Sequence, residues 1–223
     1  MARYPGGKEG AGTYQRIINQ IPPHDIYIEP FLGGGAILRH KRPARFSIAI
    51  DLDQTAIDFA RFQPTIHTDY ICADGISFLK DHVWHGGEFV YADPPYVRST
   101  CKSACRYRFD FTDEQHRRLL DVLCRLPCPV MISGYASQLY LSQLESWRTD
   151  HFKVVTRGGT IAEEWLWMNY AAPQALYDYA VLGKDFTDRQ RIKRKIARWK
   201  RKLSALPMLE RAAMLQAFNL PEA

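Results

Sequence analysis

Asp93-Pro94-Pro95-Tyr96 closes an apolar run, Glu88-Phe89-Val90-Tyr91-Ala92, that has the length and composition of a buried strand. Two consecutive prolines end such a strand and fix the backbone beyond it. An acid and an aromatic ring are thereby held side by side at a strand's carboxyl end, where open α/β sheets bind their ligands. A carboxylate and a carbonyl next to an aromatic ring suit a flat base with an exocyclic amine. The oxygens accept its N–H bonds and the ring stacks on its face. The plain alternative is a strand followed by an ordinary Pro-Pro turn. The residues upstream decide between the two.

Gly33-Gly34-Gly35 follows the apolar segment Ile26–Glu29 and precedes a helical segment, Ala36–His40. Glycines let the backbone turn sharply and approach a ligand closely. The loop is not a phosphate-binding Gly-Lys-Ser/Thr sequence, and the third glycine of a G-x-G-x-x-G pattern is missing. Asp51 ends the next strand-like run, where an acid commonly binds ribose hydroxyls. Asp74 ends the one after. Each acid alone reads better as an ordinary turn residue. A glycine loop, two strand-end acids and Asp-Pro-Pro-Tyr at four successive strands make one constellation.

The elements that must position these residues alternate. Strands are expected at Ile26–Glu29, Phe46–Ile50, Ile66–Cys72, Glu88–Ala92, Val130–Ser133, Phe152–Thr156 and Trp165–Tyr170. Helices fall between them: through Phe62, through about Val83, and from the capping box Thr112-x-x-Gln115 to the prolines Pro127 and Pro129. This alternation implies a mainly parallel, three-layer α/β sheet.

The 223 residues are 46% hydrophobic and 24% charged, suiting one large domain with a small appendage. There is no run of 18 apolar residues and no apolar signal core near the start, so cytoplasmic residence is the expectation. Five cysteines, an odd number, fit a reducing compartment. Cys101/Cys105 and Cys124/Cys128 share a spacing that a four-thiolate zinc site could use. Cys124 falls late in a helix and Cys128 between prolines, so the thiols read as buried or loop residues and no metal is expected.

Net charge is +6, but its distribution is uneven. Segment 184–202 carries ten bases against two acids, a net of +8, which leaves −2 on the rest. That asymmetry points to a polyanion, most simply nucleic acid. Thr187-x-x-Gln190 reads as a capping box, after which Ile192, Ile196, Trp199, Leu203 and Leu206 form one apolar stripe. Pro207 ends or kinks this helix, and Met208–Phe218 suits a shorter returning one. The expected division is therefore a catalytic domain over 1–183 and a basic helical tail over 184–223.

The chain resembles the alpha-class N6-adenine DNA methyltransferases, the DNA adenine methylase family. The resemblance rests on Arg3-Tyr4-Pro5-Gly6-Gly7-Lys8, on Glu29-Pro30-Phe31-Leu32-Gly33-Gly34-Gly35-Ala36 and on Asp93-Pro94-Pro95-Tyr96. Phe111-Thr112-Asp113 with His116, Ile132-Ser133-Gly134-Tyr135 and Glu164-Trp165-Leu166-Trp167-Met168-Asn169 resemble later family segments, in family order. The resemblance implies a Rossmann-like S-adenosylmethionine-dependent methyltransferase fold with the tail as an extension. It implies transfer of a methyl group to a flipped adenine amine in DNA. Tyr4, Gly7, Lys8, Phe31, Gly33, Gly35, Asp51 and Asp74 would hold S-adenosylmethionine, Asp51 at the ribose and Asp74 at the adenine amine. The family residue near Tyr4 is usually Trp. Asp93, Pro94, Pro95 and Tyr96 would be catalytic, with Asp93 and the Pro94 carbonyl accepting the target amine protons and Tyr96 stacking on the base.

One departure is large. The family usually inserts a recognition domain before the catalytic motif, yet Asp74 and Asp93 are only 19 positions apart. Nucleic-acid contacts are then expected from Arg98, Lys102, Arg106 and Arg108 after the motif, and from Arg191, Arg194, Lys195, Arg198 and Arg201 in the tail. An RNA adenine methyltransferase and a catalytically silent nucleic-acid binder on the same fold are the alternatives.

Overall fold

The computed structural model describes residues 7–10, 12–100, 109–155 and 159–219. By internal contacts the chain divides into two units, Met1–Tyr179 and Ala180–Ala223. In the first unit the apolar, β-branched runs form β1 (Ile26–Glu29), β2 (Phe46–Asp51), β3 (Thr68–Cys72), β4 (Glu88–Ala92), β5 (Val130–Gly134), β6 (Arg148–Val155) and β7 (Ile161–Met168). The helices are α1 (Thr13–Ile18), α2 (Ala36–His40), α3 (Gln54–Phe62), α4 (Gly75–Asp81), α5 (Asp113–Leu123) and α6 (Gln138–Gln143).

All seven strands join one sheet in the order β3-β2-β1-β4-β5-β7-β6. Pairings from β3 across to β5 are parallel, and β7 then runs antiparallel between β5 and β6. Every residue of β4 and β5 is buried. Burial on both faces explains why these runs are mostly apolar rather than alternating, with Glu88 and Ser133 as the polar exceptions. Ile28, Ile50, Val90 and Ile132 meet Leu119, Leu123 and Trp167 in the core. Full burial of one such aliphatic side chain contributes about 1.5–3 kcal/mol over exposure.

Because β1 lies between β2 and β4, the chain's progress across the sheet reverses at β1. A crevice opens outside the carboxyl ends of the strands at such a reversal. Four loops feed it, one after each of β1, β2, β3 and β4. Local sequence sets where the helices beyond these loops begin. Asp53 caps α3 by accepting from Thr55 N at 3.0 Å, and Asp74 caps α4 by accepting from Ser77 N at 2.7 Å. Thr112 and Gln115 form the reciprocal capping box at the start of α5.

Several element bounds differ from the sequence expectation. β3 starts at Thr68 rather than Ile66, because His67 takes a φ of 53° that interrupts an extended run. β6 begins at Arg148, ahead of Phe152, and β7 spans Ile161–Met168 rather than Trp165–Tyr170. Asn169 lies past the strand, where its side chain accepts from Val130 N and donates to the Cys128 carbonyl. Helices α1 and α6, each six residues long, are too short for periodicity to reveal. Cys124 is exposed at the end of α5 and Cys128 is buried, while Cys101 and Cys105 lie outside the described residues.

The second unit is a pair of helices, α7 (Phe186–Ser204) and α8 (Met208–Asn219). The expected Thr187 capping box is not formed. Asp185 caps α7 instead, accepting from Asp188 N at 2.8 Å, so Thr187 sits inside the first turn. Leu206 falls beyond the helix end. Among the described residues no helix is long and apolar enough to cross a membrane.

Candidate functional site

The four loops line one cleft. Gly33 and Gly35 bring the backbone of the first loop to its wall, with φ of 48° and 61°, a conformation other residues adopt only with strain. Asp51 fixes that loop from the neighbouring strand: its Oδ2 accepts from Gly33 N at 2.7 Å and its Oδ1 from Asp53 N at 2.8 Å. Burial raises the Asp51 carboxyl above its ordinary value, opposed by those two N–H groups. Arg39 donates to the Gly34 carbonyl and pairs with Glu9 at 2.6 Å, closing the loop from the α2 side.

Gly75 explains how the third loop comes so close. A Cβ there would stand 2.3 Å from the Pro30 carbonyl oxygen, so only glycine lets α4 start against the first loop. Asp74, the residue before Gly75, and Asp51 both line the cleft.

At the end of β4 the structure gathers ions. Lys8 Nζ lies 2.8 Å from Asp93 Oδ1 and 3.0 Å from Glu164 Oε1, and also donates to the Tyr96 hydroxyl. The Tyr96 hydroxyl donates in turn to both Glu164 oxygens, at 2.9 and 3.1 Å. Lys8 and Glu164 are buried. Burial works against the Lys8 charge, but Asp93 and Glu164 outweigh it and hold the ammonium well above its ordinary value. Burial likewise pushes the Glu164 carboxyl up, with Lys8 opposing.

Asp93 Oδ1 also accepts from Ser133 Oγ at 2.8 Å, and Ser133 is joined to the Tyr91 hydroxyl at 2.8 Å. Among the described residues no hydrogen bond reaches Oδ2. One oxygen of Asp93 is therefore anchored and the other is open to accept. Asp93 and Pro95 face the cleft, Pro94 is buried, and Tyr96 stands half-buried with Tyr135 packed on it at 4.4 Å between ring centroids.

Of the residues singled out from sequence, Gly7, Lys8, Phe31, Gly33, Gly35, Asp51, Asp74, Asp93 and Pro95 line this one cleft. Tyr4, Lys102, Arg106 and Arg108 lie outside the described residues. Arg98 is exposed at the start of a 3-10 turn, Arg98–Thr100. In the second unit Arg191, Arg194, Lys195, Arg198 and Arg201 are exposed, with Arg191 paired to Asp188 at 2.8 Å.

Sequence reasoning assigned no role to five participants. Glu29 forms part of the cleft, its carboxyl raised to about 8 by burial, with the Tyr27 hydroxyl donating at 2.9 Å in opposition. Phe109 and Phe111 add an aromatic wall, Phe111 edge-on to Phe31 at 5.6 Å. Glu164 from β7 and Ser133 from β5 hold Tyr96 and Asp93. Both stand in segments already quoted for the family resemblance, which was the available signal, although neither was given a role there.

No known family model and no curated protein matches the chain. Among solved structures, it is similar to the precorrin 8W decarboxylase of Methanobacterium thermoautotrophicum, with 12% identity over 75% of this chain and 94% of that one and a TM-score of 0.50. It also matches the 23S rRNA methyltransferase ErmE at 14% identity, over 81% of this chain and 82% of that one, with a TM-score of 0.48. An rRNA methylase from Streptococcus thermophilus matches at 14% identity over 70% and 92%, with a TM-score of 0.46. At such identities the likeness is one of fold, the Rossmann-like open α/β sheet.

Proposed function

We propose that this chain transfers a methyl group from S-adenosylmethionine to the exocyclic amine of an adenine in nucleic acid, with DNA as the polymer to which the sequence motifs point. One observation carries the reading. Asp93 is anchored through Oδ1 by Lys8 and Ser133 while Oδ2 is unengaged among the described residues, and it opens onto the same cleft as the glycine loop, Asp51 and Asp74.

The donor set suits the cofactor. Asp51 spends one lone pair of each oxygen on the backbone and keeps capacity for ribose hydroxyls. Asp74 spends Oδ1 on Ser77 N and keeps Oδ2 for an amine. Phe31, Leu52, Phe109 and Phe111 offer apolar faces to a flat ring. When bound, S-adenosylmethionine supplies an electrophilic sulfonium methyl.

The chain's own residues prepare the amine. An adenine amine is a weak nucleophile because its lone pair is delocalised into the ring. Asp93 Oδ2 and the Pro94 carbonyl would accept hydrogen bonds from its two N–H groups, return density to nitrogen and aim the lone pair into the cleft. Displacement is in line, so this positioning supplies much of the rate. The target must leave its stack, since the amine is otherwise paired. Tyr96 then faces the base.

A second reading, adenine in RNA, is favoured by one feature. Residues 75–92 are consumed by α4, a turn and β4, which leaves no inserted module to read a DNA duplex. Tritiated methyl transfer to duplex DNA, single-stranded DNA and RNA tests both readings. Label on N6 of adenine in DNA supports the first, label only in RNA the second. No label in any polymer removes both and leaves a silent nucleic-acid binder.

A further inference from the structure

We infer that Glu164 is the positioning residue of this site: it holds Tyr96 by its hydroxyl and shares Lys8 with Asp93, so that the site keeps one net negative charge beside the reacting amine. The inference rests on the methyl-transfer reading above. Glu164 does not line the cleft, so it acts through Lys8 and Tyr96 rather than on substrate.

The placement comes from the sheet. β7 runs antiparallel to β5, with Ser133 opposite Leu166 and Gly134 opposite Trp165. Glu164 thus falls one residue past the end of β5, level with the loop that β4 sends out beside it. A buried acid there has to be satisfied, and all its hydrogen bonds go to this site. Two come from the Tyr96 hydroxyl and one from Lys8. Burial opposes its charge, and the Lys8 ammonium and the Tyr96 hydroxyl favour the ionised form on which the inference relies.

Charge counting gives the consequence. One ammonium between two carboxylates leaves the cluster at −1. With Asp93 alone as partner, Lys8 would spend the Asp93 charge entirely, and the cluster would be neutral. The attacking nitrogen would gain positive charge as the N–C bond forms and the C–S bond breaks; sulfur would leave as the neutral thioether, and the nitrogen would then lose one proton to Asp93 Oδ2. A fixed negative charge beside it stabilises that change more than it stabilises the bound amine. The hydroxyl tether adds a mechanical role. It sets the tilt of the Tyr96 ring, against which Tyr135 packs with an interplanar angle of 56°.

The test uses the full chain with Glu164→Gln, which keeps shape and removes charge, and Glu164→Asp, which keeps charge. Single-turnover methyl transfer and calorimetric cofactor binding are measured together with the ¹⁵N resonance of Lys8 Nζ against pH. Glu164→Gln should lower the rate by roughly 30- to 100-fold with cofactor affinity unchanged, and should lower the Lys8 titration midpoint. Glu164→Asp should recover part of the rate. A near-normal rate in Glu164→Gln overturns the inference. So does a loss of cofactor affinity that accounts for the rate, or an unmoved Lys8 midpoint. Should Glu164→Gln not fold, Tyr96→Phe removes the tether together with the Lys8 contact to the same hydroxyl. A rate fall without change in cofactor affinity supports the role, and an unchanged rate overturns it. If the unaltered protein transfers no methyl, the functional reading fails by itself, and the Lys8 midpoint still decides whether Glu164 shares the charge.

Discussion

Lys8 and Asp93, 85 positions apart in sequence, stand 2.8 Å from one another between Nζ and Oδ1. The glycine-rich segment near the start of the chain and the turn after β4 are therefore one site. An ammonium buried this deeply is retained only where its partners repay its lost hydration, and here two carboxylates do so. The contact also explains why one Asp93 oxygen is fixed while its neighbour is open.

Asp93→Ala should abolish methyl transfer, a loss of roughly 100-fold or more, with cofactor affinity little changed, since Lys8 keeps Glu164 as a partner. Asp51→Ala should do the reverse and weaken cofactor first, because it also frees Gly33 N and Asp53 N. Calorimetric titration beside single-turnover rates separates the two. Near-normal turnover in Asp93→Ala would remove that residue from the mechanism.

Gly75→Ala should cost about 1–3 kcal/mol of stability and loosen cofactor binding. The added methyl would press on a backbone carbonyl 2.3 Å away, which cannot rotate aside. Gly10→Ala is the matched control, with nothing within 4 Å of its Cβ. Urea midpoints measure both, and equal midpoints would refute the close approach.

Glu29 predicts a pH dependence. Its folded pKa of about 8 lies above the ordinary 4.5, so the native state holds a proton that the unfolded chain releases. Stability should therefore fall as pH rises from about 4.5 to about 8. Glu29→Gln still accepts from Tyr27 and cannot ionise, so it should flatten this window. Urea midpoints across that range for both proteins decide it. A parallel pair of curves would mean that Glu29 is ionised throughout.

The basic unit should set salt dependence rather than sequence choice. Arg194, Lys195, Arg198 and Arg201 are exposed on α7, and phosphate contacts give affinity without base readout. Reversing all four to Glu spares Ile192, Ile196, Trp199 and Leu203. Each lost contact should reduce the log–log salt slope of duplex DNA binding by about 0.9. Fluorescence anisotropy across a salt series measures it, and an unchanged slope in the folded variant would exclude α7 as the clamp.

The local chemistry was legible in the amino-acid order. Strand-like runs, the glycine loop, the acids that follow β2 and β3, and Asp93 to Tyr96 are each written in a few adjacent residues. Chain alternation then predicts an α/β sheet, because a strand buried on both faces has to be mostly apolar. Pairing across the sheet was not legible. Glu164 reaches Tyr96 across 68 positions and Ser133 reaches Asp93 across 40. Those contacts exist because β7 inserts antiparallel beside β5, a choice of partner strand that no short window encodes. The same holds for Lys8. Its cofactor contact was implied by the family resemblance, but only the tertiary structure buries it beside two carboxylates.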